Sequence, residues 1–267
     1  MCSLRKNEIF KRGQVKICIP LMGKTKDEIV SNLIEIINYP VDIIEWRADH
    51  YENALDGAKS IDIINTIKEI EKNIPILYTF RTSNEGGEME ISKEKYKNLL
   101  MEMVTDSQVD MVDVEYMMGE DVVGDIVETA KQRNVVLIGS NHDFEKTPET
   151  SVIYDRLLGM YKAGLDVSKI AVMPQNKMDV IRLLEATAKI NEDYDDIFTI
   201  TMSMGEVGAV SRIIGSYFGS VMTFGAAGKS SAPGQIDAKN LRDIMVDIKN
   251  NIEKDWKVRI WKRIFYW

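Results

Sequence analysis

Eight short apolar runs punctuate the chain, and their spacing constrains the fold more than any other feature. They cover 15–20, 41–47, 76–81, 109–116, 135–142, 169–174, 197–203 and 220–225. They start about 25–35 residues apart, the interval expected when each strand is followed by one helix. Near-continuous apolar runs suit parallel strands buried on both faces, whereas strands buried on one face alternate. Amphipathic stretches separate them. In 24–39 the apolar residues Ile29, Val30, Leu33, Ile34 and Ile37 recur at helical spacing. The segments 92–103, 121–133, 148–164, 177–190, 208–218 and 237–252 read the same way. Eight strand–helix units predict an α/β chain closed into a (β/α)8 TIM barrel. An open doubly wound sheet is the alternative, disfavoured because no GxGxxG or P-loop follows the first strand.

No Pro/Gly/Ser-rich linker or charge block divides the chain, so residues 1–254 are expected to form a single domain, with 255–267 as a tail of unknown role. That tail is basic and aromatic, and the alternation at 258–260 looks strand-like. A net charge of -8 argues against nucleic acid and anionic membrane surfaces as partners. An anionic ligand would therefore need locally clustered arginines. No apolar run reaches the roughly 18 residues needed to span a bilayer, and the N-terminus lacks a signal peptide's apolar core. Cys2 and Cys18 offer neither a disulfide framework nor a zinc spacing. The expected location is a reducing cytoplasm.

In such a barrel, catalytic residues come from the C-terminal ends of the strands. Here five of those ends are polar: Glu45-Trp46-Arg47-Ala48-Asp49-His50, Arg81-Thr82-Ser83-Asn84-Glu85, Asp113-Val114-Glu115, Ser140-Asn141-His142-Asp143 and Met202-Ser203. Burying charge is costly unless it is paired, so a polar pocket at one end explains the pattern better than isolated structural charges. Glu45 and Arg47 share a strand face, as do Asp113 and Glu115. For the latter pair a structural salt-bridge ring is the competing reading. His142 is one of only two histidines, with His50, and imidazole is the side chain that titrates near neutrality. Lys169 opens the sixth run and shares a face with Ala171 and Met173. Burial there would favour a neutral, nucleophilic amine, although its position at a strand start favours a solvent lysine. The glycine-rich segment 225–235 reads as a mobile loop that, with Arg212, could bind an anion.

Taken in order, several segments closely resemble type I 3-dehydroquinate dehydratase, a shikimate-pathway enzyme of aromatic amino-acid biosynthesis. They are Leu21-Met22-Gly23-Lys24-Thr25, Glu45-Trp46-Arg47-Ala48-Asp49-His50, Thr79-Phe80-Arg81 with Glu85-Gly86-Gly87-Glu88, Ser140-Asn141-His142-Asp143-Phe144, Lys169-Ile170-Ala171-Val172-Met173-Pro174, Met202-Ser203-Met204 and Ser231-Ala232-Pro233-Gly234-Gln235. The resemblance implies a metal- and cofactor-free hydro-lyase that converts 3-dehydroquinate to 3-dehydroshikimate through a lysine Schiff base. It assigns the imine to Lys169, reversing the reading from position alone. It assigns proton transfer to His142 and support of the imidazole, favouring its charged form, to Glu85. Substrate binding falls to Glu45, Arg47, Arg81, Arg212, Ser231 and Gln235, and His50 takes a structural role. A homodimer is also implied. Pro20 stands where many relatives carry a serine, so that hydroxyl contact is lost or replaced. Two alternatives come from the residues themselves: a class I aldolase, which also uses an imine lysine in such a barrel, and a non-catalytic barrel that binds a small acid.

Overall fold

The computed structural model describes residues 5–228 and 232–265, with side chains through 252. Eight parallel strands form the barrel wall: β1 Lys16–Leu21, β2 Ile43–Arg47, β3 Ile76–Thr79, β4 Met111–Glu115, β5 Val136–Asp143, β6 Val167–Val172, β7 Phe198–Ser203 and β8 Met222–Ala226. Each pairs with the next from β1 to β7, and β8 pairs back onto β1. Between β7 and β8 the wall is joined by the parallel bridge Thr199↔Ser220, with the Val221 N–H donating to the Thr199 carbonyl at 2.8 Å. A two-residue strand, β9 Ile236–Asp237, adds to β8.

The helices are α1 Lys6–Ile9, α2 Lys26–Ile36, α3 Gly57–Ile70, α4 Lys93–Asp106, α5 Glu120–Ala130, α6 Thr150–Lys162, α7 Lys177–Asp193, α8 Gly205–Ile214 and α9 Ala238–Phe265. Side chains of Thr25, Asp56, Ser92 and Asn176 accept backbone N–H bonds at the starts of α2, α3, α4 and α7. These satisfy donors that a helix start leaves unpaired. The predicted strands and most helices form within a few residues of their expected limits. Three expectations are corrected. Absent from the predicted helices are the short α1 and also α3, which buries Ile63, Ile64 and Ile67 but carries Ser60 at a core position. The tail does not form a strand: α9 continues through 265, because no glycine or proline from 238 to 265 interrupts it. And β6 begins at Val167, so Lys169 lies inside the strand rather than at its start.

The apolar residues separate into two cores. One lies between sheet and helices and includes Trp46, Tyr78, Leu100, Leu157 and Leu183. The other fills the barrel interior with Cys18, Ile43, Leu77, Met111, Val136, Ile138, Val167, Phe198, Ile200 and Met222. Alternation along each strand produces this division, since residues two apart share a face. Phe10, just after α1, is fully buried within the interior core, its ring centroid 6.3 Å from that of Phe198. Lys6 lies 5.4 Å over the Phe198 ring and donates to the Asp196 carbonyl at 3.1 Å, which ties the N-terminal segment across this end of the barrel. Phe10→Ala should therefore cost about 3–5 kcal/mol of stability, as expected for a large buried aromatic. Urea unfolding measures it, and a loss below 1 kcal/mol would mean that Phe10 does not hold the interior core together.

Candidate active site

Above the apolar floor, the inward positions of the strands turn polar. Strand register sets the levels: Glu115 pairs with Ser140, Ser140 with Lys169 and Lys169 with Ile200. One step higher, His142 pairs with Ala171 and Ala171 with Met202. Lys169 is thus one inward level below His142, and both line a cavity of about 100 Å³ at the C-terminal ends of the strands.

Arg81, almost fully buried, organises this region. It donates to Asp113 at 2.8 Å, to Glu115 at 3.0 Å and to the Ser140 hydroxyl at 3.0 Å, and lies 3.6 Å from Glu85. Burial by itself would lower the guanidinium's pKa, but Asp113, Glu115 and Glu85 outweigh it and raise it well above the usual range. Asp113 also accepts from Lys169 Nζ at 2.9 Å. Burial would raise the Asp113 carboxyl; Arg81 and then Lys169 instead hold it well below the ordinary carboxylate range. Lys169 is 3.4 Å from Glu45, which accepts from the Thr79 hydroxyl at 3.1 Å, and its ammonium lies 4.9 Å over the Phe224 ring. Burial alone suggested an isolated amine, whereas two carboxylates meet it here.

Glu85 sits in a helical turn, Ser83–Glu85, just past β3. The turn is tied down by the Glu85 and Gly87 N–H groups donating to the Thr82 carbonyl and by Ser83 N–H donating to Met89. This segment is therefore pinned by backbone hydrogen bonds. At Gly86, with φ +82, a Cβ would lie 2.3 Å from Phe144; at Gly87 it would lie 1.9 Å from the Arg81 carbonyl. The glycines serve close packing. Glu85 Oε2 receives both the backbone N–H and Nδ1 of His142 at 2.9 Å, while Oε1 receives the Asn141 amide at 3.2 Å. An ionised carboxylate only accepts, so Nδ1 carries the ring proton and Nε2 keeps a lone pair.

Burial, then Arg81 and Lys169, hold His142 well below its usual value, so the ring is neutral in the free protein. Burial also pushes Glu85 up to about 7, against the pull of Arg81. Glu85 orients the imidazole through its bond to Nδ1.

The remaining predicted residues fall into distinct settings. Arg47 forms a two-pronged pair with Asp49, Nε and Nη2 each at 2.8 Å, and Asp49 also accepts the backbone N–H groups of Arg81 and Glu88. Arg212 is 2 % exposed, donates to the Pro233 carbonyl at 3.2 Å, and has no hydrogen-bond partner at Nε among the described residues. Burial, its sole perturbation, lowers its pKa to about 10. A buried cation without a carboxylate partner is costly, and an anionic ligand would relieve that cost. Gln235 and Ala232 line the same cavity. Ser231 lies outside the described residues. The flanking loop is held where Gly205 N–H donates to the Pro233 carbonyl at 3.2 Å. His50 faces a separate outer cleft with Pro20 and Glu88, with burial and then Arg47 lowering its pKa.

Sequence reasoning overlooked Asp49 as the residue that clamps Arg47, although their i, i+2 spacing was visible. It also overlooked Arg156, whose link to Asn141 crosses from α6 to β5 at 2.8 Å and leaves no local pattern. Among the described residues, no group of three or more His, Cys, Asp or Glu side chains is arranged to hold a metal ion. No helix among them is long and apolar enough to cross a membrane.

The family model described as type I 3-dehydroquinase matches residues 17–251. A 3-dehydroquinate dehydratase of Clostridioides difficile is 43% identical over 240 residues, covering 90% of this chain and 94% of that protein. One from Klebsiella pneumoniae is 45% identical over 240 residues, covering 90% and 96%. The crystal structure of a type I enzyme from Clostridium difficile carrying covalently modified comenic acid superimposes with a TM-score of 0.85 at 42% identity, covering 90% of this chain and 94% of that one. The chain belongs to the type I 3-dehydroquinase family.

Proposed function

We propose that the protein dehydrates 3-dehydroquinate to 3-dehydroshikimate through a Schiff base on Lys169, with His142 moving the proton. The carrying observation is the convergence on one small cavity of a buried lysine, an imidazole bonded through Nδ1 to Glu85, and an arginine with no carboxylate partner among the described residues. Lys169 gives one proton to His142 and adds to the substrate ketone as the free amine; that proton returns to the carbinolamine hydroxyl, which leaves as water and leaves an iminium ion. Its positive nitrogen is an electron sink, so the adjacent C2–H bond becomes acidic. His142 Nε2 takes that proton as the electrons move toward nitrogen. They then return to expel the hydroxyl, which leaves as water with the proton from His142. Hydrolysis of the product imine consumes the water released at its formation, so the net change is loss of one water.

Substrate capture is shared among Arg212, Arg47, Arg81, Glu45, Gln235 and Ser231. Arg81 is already committed to Asp113 and Glu115, which leaves Arg212 as the principal partner for the substrate carboxylate. Glu45 and Gln235 offer hydrogen bonds to hydroxyls. Family membership further supports a cytoplasmic homodimer.

Borohydride added with 3-dehydroquinate should inactivate the protein and attach a reduced adduct to the peptide holding Lys169. Lys169→Ala should form none, and full activity without an adduct would rule out the imine. Arg212→Met should raise KM about 10–100-fold, the loss expected for a charge-assisted hydrogen bond, while adduct formation persists at saturating substrate. An unchanged KM would place the carboxylate elsewhere. The pH profile has a definite sign. Glu85 titrates at about 7 in the free protein, so the Glu85–His142 pair gains a proton as pH falls through that value. The base is thereby blocked, and kcat/KM should rise between pH 6 and 8 with a midpoint about 7. Glu85→Gln should lower kcat and remove that limb; a profile identical to the parent's would dissociate Glu85 from the proton step.

A further inference from the structure

Behind Glu85 runs a chain of hydrogen bonds that the proposed mechanism does not use. Arg156, half-buried on α6, donates to Asn141 Oδ1 at 2.8 Å. The Asn141 amide, 6 % exposed, donates to Glu85 Oε1 at 3.2 Å, and Glu85 Oε2 receives His142 Nδ1 at 2.9 Å. Every direction in this chain is set by chemistry. A guanidinium can only donate, so it fixes the carbonyl end of Asn141 toward α6 and turns the NH2 end toward the carboxylate.

We propose that Asn141 and Arg156 are positioning residues for the proton-transfer pair, holding Glu85 ionised and His142 in its Nδ1–H form from outside the cavity. This rests on His142 acting as the base. Neither residue is among those that line the cavity, so each acts only through Glu85. A carboxylate in this setting needs donors. Burial opposes its charge, Glu115 and Asp113 on β4 repel it, and Arg81 and the Asn141 amide stabilise it. His142 is faced in turn by Arg81, Lys169, Arg47 and Asp113. Of these influences, the Asn141 bond is the one whose orientation is controlled from the outer helix layer. Removing the donor raises the proton affinity of Glu85 and frees the imidazole to exchange tautomers.

Asn141→Leu should move the acidic limb of kcat/KM upward by about one pH unit, the scale of one hydrogen bond to a charged group. It should lower kcat at pH 7 about tenfold, with KM changed less than twofold. Arg156→Met should shift the limb in the same direction by less, and Arg156→Lys should restore most of it. The free protein gives an independent readout. With two histidines in the chain, 15N NMR resolves the His142 ring, and both disruptive variants should shift its tautomer signature and titration. Asn141→Leu is a core change, so Arg156→Met, at a half-buried position, carries the test if the first variant is unfolded by circular dichroism. An unmoved pH limb and an unmoved His142 spectrum in folded Arg156→Met would overturn the relay. A shifted spectrum in a protein whose His142→Ala form keeps full activity would instead preserve the relay and reject His142 as the base.

Discussion

The buried guanidinium of Arg81 is the interaction on which the rest of the site depends. A charge in a barrel interior is tolerated only where partners replace the lost water. Asp113, Glu115 and Ser140 do so, drawing the upper ends of β3, β4 and β5 together. Asp113 is shared with Lys169, so the same lattice that neutralises Arg81 also fixes the amine. Glu115 further accepts the Thr82 backbone N–H and hydroxyl at 2.8 Å, which anchors the turn that carries Glu85. One ion-pair cluster thereby sets the positions of nucleophile, base and supporting carboxylate.

The cluster can exist because the barrel is closed and filled beneath it. Phe10, Phe198, Met222 and their neighbours exclude water from the lower interior. The low dielectric strengthens every pairing above them and keeps His142 neutral. Arg212 is the exception to complete pairing. It lines the cavity with no carboxylate partner among the described residues and with Nε unpaired, and that favours an anion. A net charge of -8 would repel such a ligand at long range, so affinity must be local.

Much of this was legible beforehand, for identifiable reasons. Parallel strands buried on both faces are short apolar runs, and the period of two places Glu45 with Arg47 and Asp113 with Glu115 on one face without knowledge of the fold. The errors also have causes. Lys169 looked like a strand start because the preceding Asp166-Val167-Ser168 is not an apolar run, yet Val167 and Ser168 pair with Ile138 and Gly139. The glycines at 86 and 87 permit close contact with Phe144 and the Arg81 backbone, which no pattern along the chain reveals. The helix α3 was overlooked because Ser60 interrupts its apolar stripe, and the 258–260 alternation was too short to stop a helix.

The sequence by itself determined the barrel, the face each charged residue occupies and, through seven motifs in order, the family. These follow from local periodicity and from the identity of side chains, which are properties of the chain. Only the tertiary structure decided the protonation of the site. The imidazole's charge depends on Arg81 and Lys169, 61 residues before it and 27 after it, and on the water excluded around it. Likewise, the contact between Arg156 and Asn141 requires α6 to pack against β5, and the isolation of Arg212 requires a cavity to surround it. Electrostatic energies depend on distance and burial in space, and no spacing along a chain encodes those directly.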